Sequence, residues 1–314
     1  MKAGPMVNPC RYLEMSVEMK TLPDCIPCFM RQTLEAARQA TNDEFIHEKA
    51  LRTIAYEISR MDLDRPPPIM GGIIHRTVRE LTQNKDPYKN SKDICNRSAL
   101  ELFAEMGDFV SNSTDPLETA LKIAIAGNVI DFSISPDADQ LDIRSAIDEV
   151  LAQPLHTDTV DQFRKAVESS HTILYLGDNA GEIVFDRILI EQLPKDKLTY
   201  IVKGHPTIND VTIDDAEAAG ITDLVEVIDT GSDIPGIVLE ECSGSFRSRF
   251  EQSDLIISKG QGNYECLSDM DKDTFFVFKA KCSSVAIHLC CEVGKPILIR
   301  SKCGEWLMKG CSRY

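Results

Sequence analysis

From Thr172 onward, six short apolar runs rich in β-branched residues alternate with stretches of helical periodicity. They are TILYLG (172–177), LTYIVKG (198–204), LVEVID (224–229), DLIISKG (254–260), FFVFKA (275–280) and PILIR (296–300). A strand that is apolar at consecutive positions must be covered on both faces, and parallel neighbours need a crossover between them, usually a helix. The pattern predicts an α/β fold: a three-layer α/β/α arrangement around a parallel-type sheet. Between the first two runs, EIVFDRILIEQL (182–193) places Ile183, Val184, Ile188 and Leu189 on one stripe. The helix in DVTIDDAEAAG is expected to end at Gly220 through a left-handed cap, and SSVAIHLCCEVG (283–294) likewise ends in glycine, with Cys290-Cys291 on its core side.

The chain before this region follows a different grammar. From about Thr21 to Glu149 the apolar positions recur at helical spacing. CFMRQTLEAARQA (28–40) brings Phe29, Thr33, Ala36, Ala37 and Ala40 near one face, and EKALRTIAYEISRM (48–61) repeats the habit. Pro66-Pro67-Pro68 interrupts the run, a further helix is expected over 73–81, and Asp86-Pro87 marks a turn. The expected organisation is an extension over 1–18, a helical domain over 19–155 and an α/β/α catalytic domain over 156–314. No flexible linker separates the last two, so they are expected to pack as one unit.

Charge narrows the function. With 34 Lys+Arg against 50 Asp+Glu the formal net charge is −16, and the pI is about 4.8. Such a chain repels phosphate backbones and anionic lipid, which argues against nucleic acid or membrane as partner. Any anionic ligand requires a local reversal of sign. The eleven cysteines are an odd number without framework spacing, which fits reduced thiols and a cytoplasmic location. No apolar run approaches a membrane span or a signal peptide.

In open parallel sheets, ligands bind beyond the carboxyl ends of the strands. There the sequence gathers Gly177-Asp178-Asn179-Ala180-Gly181-Glu182, Lys203-Gly204-His205 with Asn209-Asp210, Lys259-Gly260-Gln261-Gly262-Asn263, and Lys279, Lys281 and Cys282. Asp178, Asn179 and Asp210 offer hard oxygen ligands of the kind that suit magnesium, manganese and related divalent ions. Such an ion polarises a phosphoryl oxygen and acidifies bound water. Lys259, in a glycine-rich loop, would take the remaining phosphate charge. Taken singly, each cluster has a plainer reading as a strand-to-helix turn, a helix cap or a solvated lysine. Their shared position at the strand ends favours a site. Cys25-Ile26-Pro27-Cys28 has the spacing of a redox dithiol or half a zinc site, but no second CxxC or nearby histidine pair completes four ligands. His75 and His288 read as packing or surface histidines, His205 lies in a site loop, and Asn128 and Asp131 either end a helix or face the cleft.

Seven segments together resemble the metal-dependent damage-control phosphatase family, in its prokaryotic branch with an N-terminal CxxC. They are LPDCIPC (22–28), DPYKNSKDICNRSAL (86–100), AGNVIDF (126–132), GDNAGEIVFDRILI (177–190), VKGHPTINDVT (202–212), KGQGNYE (259–265) and KAKC (279–282). The resemblance implies a helical domain packed on the α/β/α domain and hydrolysis of phosphomonoesters of small metabolites, such as sugar phosphates or damaged phosphometabolites. It implies a divalent cofactor (manganese, cobalt, nickel or magnesium) on Asp178, Asn179 and Asp210. Lys259 and Asn263 would contact phosphate, with Glu182 and Asn128 near the substrate; Asp178, Asp210 and Lys259 would carry the chemistry. Lys203 stands where arginine is equally expected. An activated water is favoured over an aspartyl-phosphate on Asp178, because the position two residues on, where a general acid would be needed, is Ala180. The alternatives are an S-adenosylmethionine-dependent methyltransferase and a non-catalytic protein that binds metal and a phosphometabolite.

Overall fold

The computed structural model describes residues 19–128, 140–302 and 305–306; Asp131 and the expected extension lie outside them. Each apolar run forms a strand: β1 (Ile173–Leu176), β2 (Leu198–Val202), β3 (Glu226–Asp229), β4 (Leu255–Lys259), β5 (Thr274–Lys279) and β6 (Pro296–Lys302), followed by the short β7 (Glu305–Trp306). The order across the sheet is β3-β2-β1-β4-β5-β6-β7. β1 to β5 pair in parallel.

Two strands depart from the parallel expectation. β6 pairs antiparallel with β5, Phe276 opposite Ile299, and β7 pairs antiparallel with β6. The only helix between β5 and β6 is α12 (Ser283–His288), which is too short to carry the chain back across the sheet, so the chain returns alongside β5. α12 also stops before the expected glycine. Cys290 adopts a left-handed φ of 50°, and Cys290 and Cys291 lie half-buried beyond the helix, with Cys291 still packed against the core.

Strand alternation divides the core into two layers. Ile173, Tyr175, Tyr200, Leu255, Ile257, Phe275 and Val277 face one way, into a cluster with residues of α4 (Lys89–Ser111), α5 (Pro116–Gly127), α7 (Thr157–Ser169) and α8 (Glu182–Ile190). Leu174, Leu176, Ile201, Ile256, Phe276 and Phe278 face the other way, onto α10 (Gly244–Gln252), α11 (Gln261–Leu267) and α12. The first layer draws on helices from both halves of the chain. α8 was expected to bury one stripe; it buries every residue except Arg187, because α4 and α5 cover the side turned away from the sheet. A side chain at Gly127 would press on Phe185, which explains the glycine at that crossing.

The remaining N-terminal helices, α1 (Cys25–Ala40), α2 (Glu44–Ile58) and α3 (Pro68–Thr82), form smaller clusters around Phe29, Ile54 and Ile74 and around Ala36, Ala50 and Val78. α1 buries Phe29, Thr33, Ala36 and Ala37, the face read from its spacing. α3 starts at Pro68, ahead of the expected Ile73; proline at the first helical position loses nothing, since that N–H has no partner within the helix. α6 (Gln140–Leu151) packs on α5. α9 (Ile213–Ala218) opens on a Thr212–Asp215 capping box and is followed by Gly220 at φ 71°, as expected. Among the described residues, no helix is long and apolar enough to cross a membrane.

Candidate active site

β1 lies between β2 and β4, so the connections leaving β1 and β4 diverge at their carboxyl ends and leave a crevice at this switch point. Asp178 leaves β1 into that crevice, and Gly260 leaves β4 beside it. At Gly260, φ is 80° and an added Cβ would fall inside the Asp178 carboxylate. Glycine is required there for both its conformation and its missing side chain. Asp210 arrives from the connection after β2. A bridge between Asn179 and Asp210, with Val211 N donating to Asp178 O at 2.8 Å, stitches that connection to the β1 turn. Two residues before Asp210, Ile208 holds a left-handed φ of 42°, a conformation costly for a β-branched residue and tolerated where the surroundings enforce it.

Two asparagines orient two carboxylates. Asn128, at the end of α5, donates through Nδ2 to Asp178 Oδ2 at 2.9 Å and to Glu182 Oε2 at 2.8 Å. Asn179 Nδ2 donates to the same two oxygens, at 2.6 and 3.2 Å. The Asn128 Oδ1 accepts from Lys279 N at the end of β5, so α5, the β1 turn and β5 are tied at one point.

The electrostatics are strongly anionic. Burial, then Glu182 and Asp210, push the Asp178 carboxyl up to about 8, against the pull of Lys281 and Lys203. Asp210 is raised to about 6, mainly by burial, although Lys203 Nζ lies 3.5 Å from its Oδ2. Carboxyls that resist ionisation in their own surroundings are short of positive charge.

Lys259 does not supply that charge. Expected to meet phosphate, it is fully buried, and its ammonium donates to Glu182 Oε1 at 2.6 Å, Asp186 Oδ1 at 2.6 Å and Ala124 O at 2.8 Å, which uses all three hydrogens. Burial pulls its pKa down, but Asp186 and Glu182 outweigh that, and the net shift is upward. Asp186 also accepts from Tyr175 at 2.8 Å and Tyr200 at 3.0 Å, whose rings stack 5.3 Å apart. Asn263 is turned inward as well: Nδ2 donates to Lys259 O and Gly177 O, while its buried Oδ1 has no partner.

Sequence reasoning passed over Asp186, Tyr175, Tyr200 and Asn96, and placed Lys281 at the strand ends without giving it a role. Asn96 of α4 accepts from Gly181 N at 2.7 Å and donates to Asp215 at 3.0 Å, which fixes the β1 turn from the helical side. The available signals were a lone aspartate within apolar EIVFDRILI and the second lysine of KAKC. The histidines stay outside the chemistry. His75 is buried, neutral and held down to about 3 by desolvation; His288 Nδ1 pairs with Tyr264 at 2.6 Å; His205 is exposed on its loop.

The described residues suit a cation in one respect and limit it in another. No three His, Cys, Asp or Glu side chains are arranged to hold a metal ion. A cation at Asp178 and Asp210 would therefore be completed by neutral oxygen donors, and Asn179, with Nδ2 committed to carboxylates, leaves its Oδ1 for that role. Two charge-deficient carboxylates plus an amide oxygen fit a hard divalent ion.

Comparison with known proteins places the whole chain in a family. The damage-control phosphatase ARMT1-like domain model matches residues 21–296. The chain is 38% identical over 294 residues to an uncharacterized protein of Methanocaldococcus jannaschii, covering 90% of this chain and 96% of that one. It is 34% identical to a damage-control phosphatase of Pyrococcus horikoshii (90% and 99% covered) and 31% identical to one of Archaeoglobus fulgidus (89% and 98%). The crystal structure of a DUF89 family protein from Pyrococcus horikoshii superposes with a TM-score of 0.81 at 32% identity, over 91% of this chain and 100% of that one. The chain belongs to the ARMT1-like damage-control phosphatase family.

Proposed function

We propose that the chain hydrolyses phosphomonoesters of small metabolites, damaged phosphometabolites or sugar phosphates, with the help of a divalent cation at the β1–β4 crevice. The observation that carries this reading is the pair of raised carboxylates, half-buried Asp178 and buried Asp210, joined through the Asn179–Asp210 bridge. An acidic chain can admit a phosphate only where a cation offsets such groups. Asp178, Asp210 and Asn179 Oδ1 would hold manganese, cobalt, nickel or magnesium. Bound there, the ion would polarise a phosphoryl oxygen and lower the pKa of a water.

The protein's own groups do the rest. Asn128 and Asn179 keep the Asp178 and Glu182 carboxylates turned toward each other, so the ligand oxygens are fixed before substrate arrives. Lys259 offsets part of the charge of Glu182 and Asp186 beneath the site, and Lys203 lies 3.5 Å from Asp210, so the four carboxylates Asp178, Glu182, Asp186 and Asp210 still outnumber these two ammonium groups. Lys281, exposed and acting on Asp178, takes the phosphate-facing role first expected of Lys259. An activated water remains the favoured nucleophile. Family membership sets aside the methyltransferase alternative.

Phosphate release from a panel of small phosphomonoesters, with and without each metal, tests the reading. Asp178→Ala and Asp210→Ala are expected to abolish metal-dependent release. Full retention by both overturns the assignment, and saturable binding without product would identify a non-catalytic binder.

A further inference from the structure

The CxxC pair takes no part in the chemistry above, yet it sits at a structured junction. Cys25 and Cys28 occupy the first turn of α1, Cys25 buried and Cys28 exposed. Helix geometry places Cα atoms three residues apart at roughly 5 Å, inside the disulfide range. Cys28 Sγ accepts from Arg31 Nη2 at 3.7 Å. Cys25 Sγ instead meets Ser284 Oγ of α12 at 3.7 Å. From α12 a strap of contacts runs toward the crevice. Cys282 caps the helix and accepts from Gln261 Nε2 at 3.3 Å, and Gln261 Oε1 accepts from Lys281 N at 2.9 Å. Gln261 follows Gly260, which packs on Asp178.

A zinc reading of the pair lacks its other ligands, since no third His, Cys, Asp or Glu among the described residues is placed to complete a site. We propose that Cys25 and Cys28 form a reversible dithiol–disulfide couple that exchanges with low-molecular-weight disulfides and whose closure loosens the Ser284–Lys281 segment. The exposed Cys28 thiolate attacks one sulfur of the small disulfide, and the S–S bond breaks with release of one thiolate. Cys25, its proton passed to solvent, then attacks Cys28 Sγ and expels the second small thiol. The protein loses two electrons and the small disulfide gains them. Closing the S–S bond draws Cys25 Sγ away from Ser284, so α12 loses its tie to α1.

The test uses the full-length chain equilibrated with glutathione buffers from fully reduced to fully oxidised, quenched with acid and alkylated. Trypsin releases both cysteines, and no other, in peptide 21–31 (TLPDCIPCFMR). The expected result is conversion of that peptide to the internal disulfide, reversed by dithiothreitol. Cys25→Ser is expected to trap a glutathione adduct on Cys28, whereas Cys28→Ser leaves the buried Cys25 unmodified. Amide hydrogen exchange over 280–286 is expected to rise several-fold on oxidation of the native chain and to stay unchanged in Cys28→Ser. A peptide that stays dithiol in oxidised buffer, or equal adducts in both variants, overturns the couple; conversion with unchanged exchange over 280–286 overturns its transmission. Neither readout depends on turnover, so failure here and failure of the phosphatase reading are separately visible.

Discussion

Replacing Lys259 by methionine separates a buried counter-ion from a phosphate ligand. Methionine nearly keeps the volume but removes the charge and three hydrogen bonds, to Glu182, Asp186 and Ala124. Both carboxylates are essentially without solvent exposure, so neither recovers hydration. Removing one partner of a buried pair costs about 3–5 kcal/mol, most of it from the charge left behind. In a chain of this size that corresponds to a fall in melting temperature on the order of 5–15 °C. The loss should be smaller near pH 5 than at pH 8. Asp186 is raised to about 6, mainly by burial, even with the lysine present. A folded pKa above the unfolded value means that the native state binds more protons, and stability then falls as pH rises through the window between the two. Asp186→Asn added to Lys259→Met should restore part of the loss, because one stranded charge is removed. Thermal melts of the parent and the two variants at both pH values read this directly. A Lys259→Met protein that melts within about 1 °C of the parent and shows only a raised KM would refute the buried-counter-ion assignment and return the lysine to the substrate.

Three further outcomes are expected. Asp178→Asn should abolish metal-dependent phosphate release while raising the melting temperature of the metal-free chain, since its carboxyl is raised to about 8 by burial, Glu182 and Asp210; a metal-free melt that falls would count against this. For the same reason the metal-free parent should lose stability as pH rises from about 4 toward 8, and urea titrations in chelator should show the midpoint falling. Gly260→Ala, forced to hold φ 80° with its Cβ against Asp178, should cost roughly 1–2 kcal/mol in backbone strain and lower kcat at least tenfold; kinetics equal to the parent would show that the loop does not set Asp178.

Much of the fold was legible because strand burial is written into consecutive positions. ILYL, LTYIV, LIISK and TFFVFK are buried at nearly every residue, and each lies where its apolar run predicted. The direction of β6 was not legible, because PILIR is equally apolar in either orientation and only the length of the connection decides. The site was legible to the extent that strand ends converge: Asp178, Asn179 and Asp210 do meet, through a bridge between loops that are distant in sequence. What sequence could not reveal was the partner of Lys259. A lysine after a strand reads as solvated or ligand-bound, and its capture by Asp186 depends on α8 being covered on its outer side by α4 and α5. Tyr175 and Tyr200 read as ordinary strand residues until β1 and β2 pair and stack them over the same carboxylate.

An anomalous diffraction map of crystals grown with manganese and soaked with inorganic phosphate tests the central claim most directly. The account predicts one manganese peak within ligand distance of the Asp178 and Asp210 carboxylates and Asn179 Oδ1, with phosphate beside it and Lys259 still bound to Glu182 and Asp186. Manganese absent from that crevice, or seated elsewhere in a chain that hydrolyses phosphomonoesters, would contradict it.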